Sequence, residues 1–351
     1  MRLVVISIAL VSSLTLAYAD VEVEDRITRT AEAKPGGKLV FDADYGSIDV
    51  RAADVLSLEL ELERKVTGRD SADAERILKD LDVTVQETAG GIQILAKFKD
   101  GWRPQSEVRG RARRLCRDGK CLEYADRLRI HHYRISVPRE FHLDLTTRSG
   151  EIGVSDLKGS VRAKTSGGSL RFGSINGPVW GNTSGGNITM EGGKSTAELK
   201  TSGGNVRIGS VDGEVNAITS GGSIVIDRVS ANVTARTSGG NVEVKETSGS
   251  VDASTSGGSI YASMLTSPSA TCRLTTSGGN ITVRLPESAK VELDASTSGG
   301  SVNTDFPVVV RGSLRRDSLK TSINGGGPLL YLRTSGGSIH LKQSGSARSG
   351  L

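Results

Sequence analysis

The chain has 351 residues with 44 glycines, three cysteines and a formal net charge of +5. Residues 100–139 alone hold eleven Arg and Lys against five acids, an excess of six, so the basicity is a local feature of one segment rather than a property of the whole surface. No RNA- or DNA-binding motif accompanies that charge and no Gly-x-x-x-x-Gly-Lys-[Ser/Thr] loop is present, which argues against nucleic-acid and nucleotide readings.

In chain order, Met1–Ala19 carries Arg2, an apolar run from Leu3 to Leu16, and Ala17-Tyr18-Ala19 ahead of Asp20. This pattern predicts a signal peptide, residues 1–19, and an exported protein of the periplasm or of the cell surface and extracellular space. The run is short for a retained span, and no later segment reads as one. No cysteine follows it to take a lipid.

Residues 20–140 read as a degenerate β-rich part. Gly37 and Gly46 are followed by Leu39/Phe41 and Ile48/Val50, which suggests that a repeat begins here in irregular form. The alternation in Leu56–Leu62 predicts a strand. Ala74, Ile77, Leu78 and Leu81 fall at helical spacing behind Asp70 or Ser71, which predicts a helix over 71–81 capped by one of the two. Its expected place is one end of a strand stack, covering an open edge. Strands at Val83–Val85 and Ile92–Ile94 should follow.

The basic insertion, residues 100–130, contains Arg109, Arg111, Arg113, Arg114, Arg117 and Lys120, with Trp102, Tyr124 and Tyr133 in or near it. One reading is an anion-binding patch for a polyanionic glycan, a lipid head group or an acidic protein; the other is a solvated arginine-rich loop. Cys116 and Cys121 flank Arg117-Asp118-Gly119-Lys120, and in an oxidising compartment the simplest expectation is a disulfide closing this small loop. Cys272 is left as a free thiol. Zinc is a poorer reading, because His131 and His132 are adjacent and point to opposite faces of a strand.

Over residues 141–342 the pattern becomes regular. Nine Thr-Ser-Gly-Gly tetrads start at Thr165, Thr183, Thr201, Thr219, Thr237, Thr255, Thr276, Thr297 and Thr334, the first six spaced by 18 residues. Glycines also recur on a nine-residue lattice, and two places after each lattice point stands an apolar residue, from Ile152 and Val161 to Val251 and Ile260. The place two further on alternates between large (Phe172, Met190, Ile208, Ile226) and small (Ala163, Ala217, Ala235, Ala253). Two short strands per 18-residue turn, each with one buried face, specify an all-β parallel solenoid of about ten turns. By parity the tetrad threonines lie on the buried side, so that the methyl joins the core and the hydroxyl serves the corner backbone. The first outward place repeats as Ser or Asn: Ser169, Asn187, Asn205, Ser223, Asn241, Ser259, Asn280, Ser301 and Ser338.

The glycine repeats lack the recurrent aspartate of calcium-binding β-rolls. Asp212, Asp227, Asp252, Asp294 and Asp305 occupy different offsets and form no obvious acid pair, and the histidines stand in no relation to a repeated serine or to Cys116. The chain is therefore expected to be non-catalytic, with no cofactor and no metal. The last strands, Leu330–Leu332 and Ile339–Leu341, should close the stack, and residues 343–351 read as a disordered tail.

Gly46-Ser47-Ile48-Asp49-Val50, a short helix, Tyr133-Arg134-Ile135-Ser136-Val137-Pro138 and then Thr-Ser-Gly-Gly-[Asn/Ser]-[Val/Ile] units ending on Asn324-Gly325-Gly326-Gly327 resemble the DUF4097 family over about residues 37–342. The resemblance implies a bacterial, envelope-associated β-strand-repeat protein of the adhesin-labelled kind, and no catalytic residues. The expected function is an adhesin-like or envelope interaction scaffold with a surface polymer or protein as partner, anionic polymers being met by the 100–139 segment. The alternatives are a carbohydrate-active β-helix enzyme and a self-assembling structural rod.

Overall fold

The computed structural model describes residues 21–344 except 69, 89, 100–102, 106–113, 118–119, 123–127 and 309–314; the expected signal peptide lies outside the described residues, as does the tail beyond Ser344. The chain divides after Arg171 into two compact units.

The first unit contains β1 (Val21–Glu32), β2 (Lys38–Ala43), β3 (Ser47–Ala53), β4 (Ser57–Gly68), α1 (Ser71–Asp80), β5 (Leu81–Thr88), β6 (Gly91–Phe98), β7 (Arg103–Gln105), β8 (Arg114–Arg117), β9 (Lys120–Leu122), β10 (Leu128–Pro138), β11 (His142–Thr147), β12 (Ile152–Val154) and β13 (Val161–Lys164). One sheet runs β1-β4-β10-β3-β12 and the other β5-β6-β2-β11-β13. The irregular start of the repeat is real: β2 pairs in parallel with β11, and β3 with β12. Towards the first residues the pairing turns antiparallel, in β1–β4 and β5–β6. Leu56 falls outside β4 and is exposed, whereas Leu58, Leu60 and Leu62 are fully buried.

The helix forms where the 3.6-residue pattern placed it. Asp70 is the cap, accepting from Asp73 N at 2.8 Å, and Ala74 and Ile77 are buried. It packs on β4 and on β1 and β5, the strands that end the two sheets. The outward side of β1 carries Glu22, Glu24, Arg26 and Glu32, and charge on an end strand discourages pairing with another chain.

In the second unit one sheet holds β14 (Leu170–Ile175), β16 (Ile188–Gly193), β18 (Val206–Val211), β20 (Ile224–Val229), β22 (Val242–Thr247), β24 (Ile260–Met264), β26 (Ile281–Pro286), β31 (Ile339–Ser344) and β28 (Val302–Thr304), in that order. The other runs β15 (Val179–Asn182), β17 (Ala197–Lys200), β19 (Val215–Ile218), β21 (Val233–Arg236), β23 (Val251–Ser254), β25 (Cys272–Thr275), β30 (Leu329–Thr334), β27 (Val291–Thr297) and β29 (Ser318–Ile323). From β16 and β15 onward the neighbours pair in parallel, as β18 does with β20 and β19 with β21, except β27 with β29. This is the expected solenoid. Val206 stands beside Ile224 and Val215 beside Val233, each in the column that the 18-residue period assigned.

Both inward columns are buried, and Ala197 and Leu199 share one strand's volume in exchanged positions. A third buried column, Ile175, Val211, Val229 and Thr247, comes from a break in alternation: β18 buries Val206, Ile208 and then Val211, leaving Gly209 and Ser210 side by side towards solvent.

Two ladders hold the corners. Thr219 Oγ1 donates to Gly204 O of the preceding coil at 2.7 Å and accepts from Gly222 N at 3.3 Å. Thr201, Thr237 and Thr255 repeat this with Gly186, Gly222 and Gly240. The outward Asn/Ser column forms the second: Asn205 Oδ1 accepts from Ser223 N at 2.8 Å, and Ser223 Oγ from Asn241 N at 3.1 Å. Its uniformity is thereby accounted for by backbone satisfaction. The second glycine of each tetrad is fixed by space, since a Cβ on Gly222 would lie 2.1 Å from Gly204 O.

The end of the stack differs from the expectation. Residues 329–341 do not close it: β30 lies between β25 and β27, and β31 between β26 and β28. The tetrad ladder follows space rather than sequence, with Thr334 Oγ1 donating to Gly279 O at 2.8 Å and Thr297 Oγ1 to Gly337 O at 2.6 Å. Gln343 and Ser344, expected in a disordered tail, extend β31.

The corner chemistry predicts two separable costs, read by thermal or denaturant unfolding. Thr219→Val keeps the buried shape but strands a carbonyl and an amide, and should cost about 1–3 kcal/mol. Gly222→Ala, which forces a Cβ onto a backbone oxygen, should cost about 3 kcal/mol.

Candidate anion-binding segment

The basic insertion joins β6 to β10, and its strands β7, β8 and β9 pair antiparallel as a small sheet of their own. Of the residues singled out in the sequence, Arg114 and Arg117 lie on β8 and Lys120 on β9, while Arg109, Arg111 and Arg113 lie outside the described residues. The strand residues Arg103–Gln105, Arg114–Arg117 and Lys120–Leu122 include four cations and no acid. The backbone register sets Cys116 opposite Cys121 and Arg117 opposite Lys120. Residues directly opposite in an antiparallel pair have Cα atoms about 4.5–5.5 Å apart, within the span of a disulfide. That register is compatible with the expected bridge.

The first unit also holds a buried polar group that sequence reasoning missed. Asp25 on β1, Arg64 on β4 and His131 on β10 are successive cross-strand partners on the core side. Arg64 is 6 % exposed; it pairs with Asp25 and donates from Nη1 to Leu78 O of α1 at 2.8 Å. A buried guanidinium is tolerated only with such partners, so the charge also fastens the helix to the sheet. The signal was present in β4, where Leu58, Leu60, Leu62, Arg64 and Val66 share one parity and one of the five is charged. Asp44, also buried, accepts from Phe98 N at 3.2 Å and pairs with Lys97 at 3.3 Å and Arg148 at 3.2 Å. It thus ties down the end of β6, one residue before Lys99.

His131 is 5 % exposed, its ring edge-on to Tyr45 at 5.7 Å, and neither ring nitrogen has a protein partner. Burial, reinforced by the charge of Arg64, pushes its pKa down to about 3. Tyr133 is likewise buried, and burial raises its phenol above the ordinary value. His132 is half-exposed, so the two adjacent histidines do point to opposite faces. Among the described residues no group of three His, Cys, Asp or Glu could hold a metal ion.

Three of the aspartates singled out in the second unit are paired with cations. Asp227 pairs with Lys245 at 2.7 Å and Arg207 at 3.4 Å, Asp252 with Arg236 at 2.8 Å, and Asp294 with Arg333 at 2.7 Å and Lys320 at 3.1 Å. Cys272 is a free, buried thiol, and burial raises its pKa. Among the described residues no helix is long and apolar enough to cross a membrane.

Residues 179–342 match the family model described as Toastrack DUF4097, so the resemblance read from the tetrads holds over most of the second unit. Similar solved structures include a putative adhesin from Parabacteroides distasonis (9% identity, 91% of this chain and 97% of that chain, TM-score 0.41). A putative lipid binding protein from the same species is 14% identical over 90% of this chain and 96% of that chain, with a TM-score of 0.39. A putative cell adhesion protein from Clostridium sporogenes is 13% identical over 91% and 100%, with a TM-score of 0.22. No curated protein sequence matches the chain.

His131 predicts an acid sensitivity with a definite sign. Its folded pKa of about 3 lies below the ordinary 6.5, so the unfolded chain takes up a proton that the folded chain refuses. Stability is complete above 6.5 and is lost as pH falls towards 3, at about 1.4 kcal/mol per unit. Denaturant unfolding at pH 6.5 and 5.0 should show His131→Phe losing about 2 kcal/mol less than the parent chain.

Proposed function

We propose that this chain, a Toastrack DUF4097 repeat protein over residues 179–342, is an exported, non-catalytic, adhesin-like scaffold of the cell envelope. Its repeat supports a basic sheet that meets an anionic surface polymer. The observation that carries the reading is the composition of β7–β9, four cations without an acid. Arg109, Arg111, Arg113, Arg114, Arg117 and Lys120 are the residues assigned to the contact. The corner columns of the repeat are committed to backbone hydrogen bonds and do not serve as a binding array. Export is supported by the Met1–Ala19 pattern, and in an oxidising compartment the Cys116–Cys121 register would let a disulfide fix the β8–β9 hairpin.

The test is binding of the chain from Asp20 onward to vesicle-free envelope polymers and to whole cells at low and moderate salt. Reversal of Arg111, Arg113 and Arg114 to Glu should abolish a salt-sensitive binding while leaving the unfolding midpoint unchanged. Binding that survives both the reversal and added salt would remove the segment from the contact.

A further inference from the structure

The out-of-order coil carries a second kind of interaction. Strands β30 and β31 form an interior coil that is gripped on both sides by earlier ones. On one side Thr276 N donates to Arg333 O at 2.9 Å and Ile281 N to Ser338 O at 3.0 Å; on the other, Ile339 N donates to Ser301 O at 2.9 Å. Leu330, Leu332, Ile339 and Leu341 fill the core, none more than 1 % exposed. Nothing in these contacts depends on which chain supplies the coil.

What ties the coil to its own chain is a five-residue loop, 324–328, between β29 and β30. These strands flank β27 on its two sides, so the loop must cross the start of β27. It crosses closely: Glu292 N donates to Pro328 O at 3.1 Å, and a Cβ on Gly327 would lie 2.4 Å from Lys290 O. To make the crossing, Asn324, Gly325 and Gly326 adopt consecutive left-handed conformations, with φ of 50°, 87° and 81°. Asn324 is the one non-glycine residue at positive φ among the described residues, and its amide is held by Glu287 O and Ala289 O, each at 2.8 Å. A short hinge beside a self-contained coil is the arrangement from which exchange between copies arises, because every core contact of the coil is remade in the partner.

We propose that the coil formed by β30 and β31 is exchangeable and that a second copy of this chain is its partner, each copy seating its coil between β25–β26 and β27–β28 of the other. The exchange is reciprocal between two copies, which closes it as a two-fold dimer; a chain of copies each seating its coil in the next would grow into a fibre instead.

The test uses full-length chains in a Cys272→Ala background, one with Arg273→Cys and the other with Tyr331→Cys. These positions are direct partners across β25 and β30, so a disulfide between them links two chains only when the coil of one sits in the other. The two chains are unfolded together and refolded over a range of concentrations. The expected result is a heterodimer linked through positions 273 and 331 whose yield rises with concentration. Gly325→Val acts on the hinge alone, since a Cβ there meets nothing within 4 Å and only the φ of 87° is opposed. It should raise the dimer yield about tenfold. The single-chain double variant, refolded at high dilution, should form the same link within one chain and so report that the altered coil seats. That link without any heterodimer at any concentration overturns the proposal. So does a Gly325→Val chain with its native Arg273, Tyr331 and Cys272 that elutes only as a monomer after the same refolding.

Discussion

Stacking of one tetrad corner on the next is the constraint on which the repeat rests. Parallel coils bring successive corners so close that the second glycine of each tetrad has only hydrogen to place against the carbonyl below, as Gly222 does over Gly204. The threonine then uses the same approach to reach down with its hydroxyl, leaving its methyl in the core. One four-residue unit thus supplies closeness, polar satisfaction and burial together. None of its parts can vary independently. The 18-residue period of the chain is the spatial period of this contact written in sequence.

From that constraint follows the division of labour between the faces. Inward columns need only volume, so Ala197 and Leu199 can trade places and Thr247 can stand in a column otherwise held by Ile175, Val211 and Val229. The Asn/Ser column, though outward, is bound to the corners by its ladder. Among the other outward positions Asn232 and Ser230 also bond the backbone of the neighbouring coil, while several carry cross-strand ion pairs such as Arg236 with Asp252. Exposed pairs of this kind add little stability and leave the composition of these surfaces open to change. The departures from the repeat lie in the first unit, in the basic insertion and in the buried polar row of Asp25, Arg64 and His131.

The legible parts of the fold were those with a period. Tetrad spacing placed the coils, parity put Thr219 inside, and a helical spacing of four apolar residues placed α1. What escaped was aperiodic or degenerate. Val211 was hidden because Gly209 and Ser210 break the alternation that marks a buried face. Arg64 and His131 were hidden because a polar residue at a core parity is visible only once its partners on other strands are known. The order of the last coils could not be read because Thr297 and Thr334 head nearly identical tetrads, and like units fit the ladder in either order. In the basic segment the charge was plain in the sequence, but the register that sets Cys116 opposite Cys121 was not.

The displaced coil also bears on when this protein can finish folding. In a repeat stacked in sequence order, each coil can settle on the last as it is made, and losing the final one shortens the stack by a single layer. Here β30 and β31 are synthesised after every strand that they lie between. The faces of β25–β26 and β27–β28 that will receive them stay unsatisfied until then, however long the chain pauses on the ribosome. Clipping within the 324–328 loop would correspondingly threaten an interior layer and the coil beyond it, so this short crossing decides the integrity of a region far larger than itself.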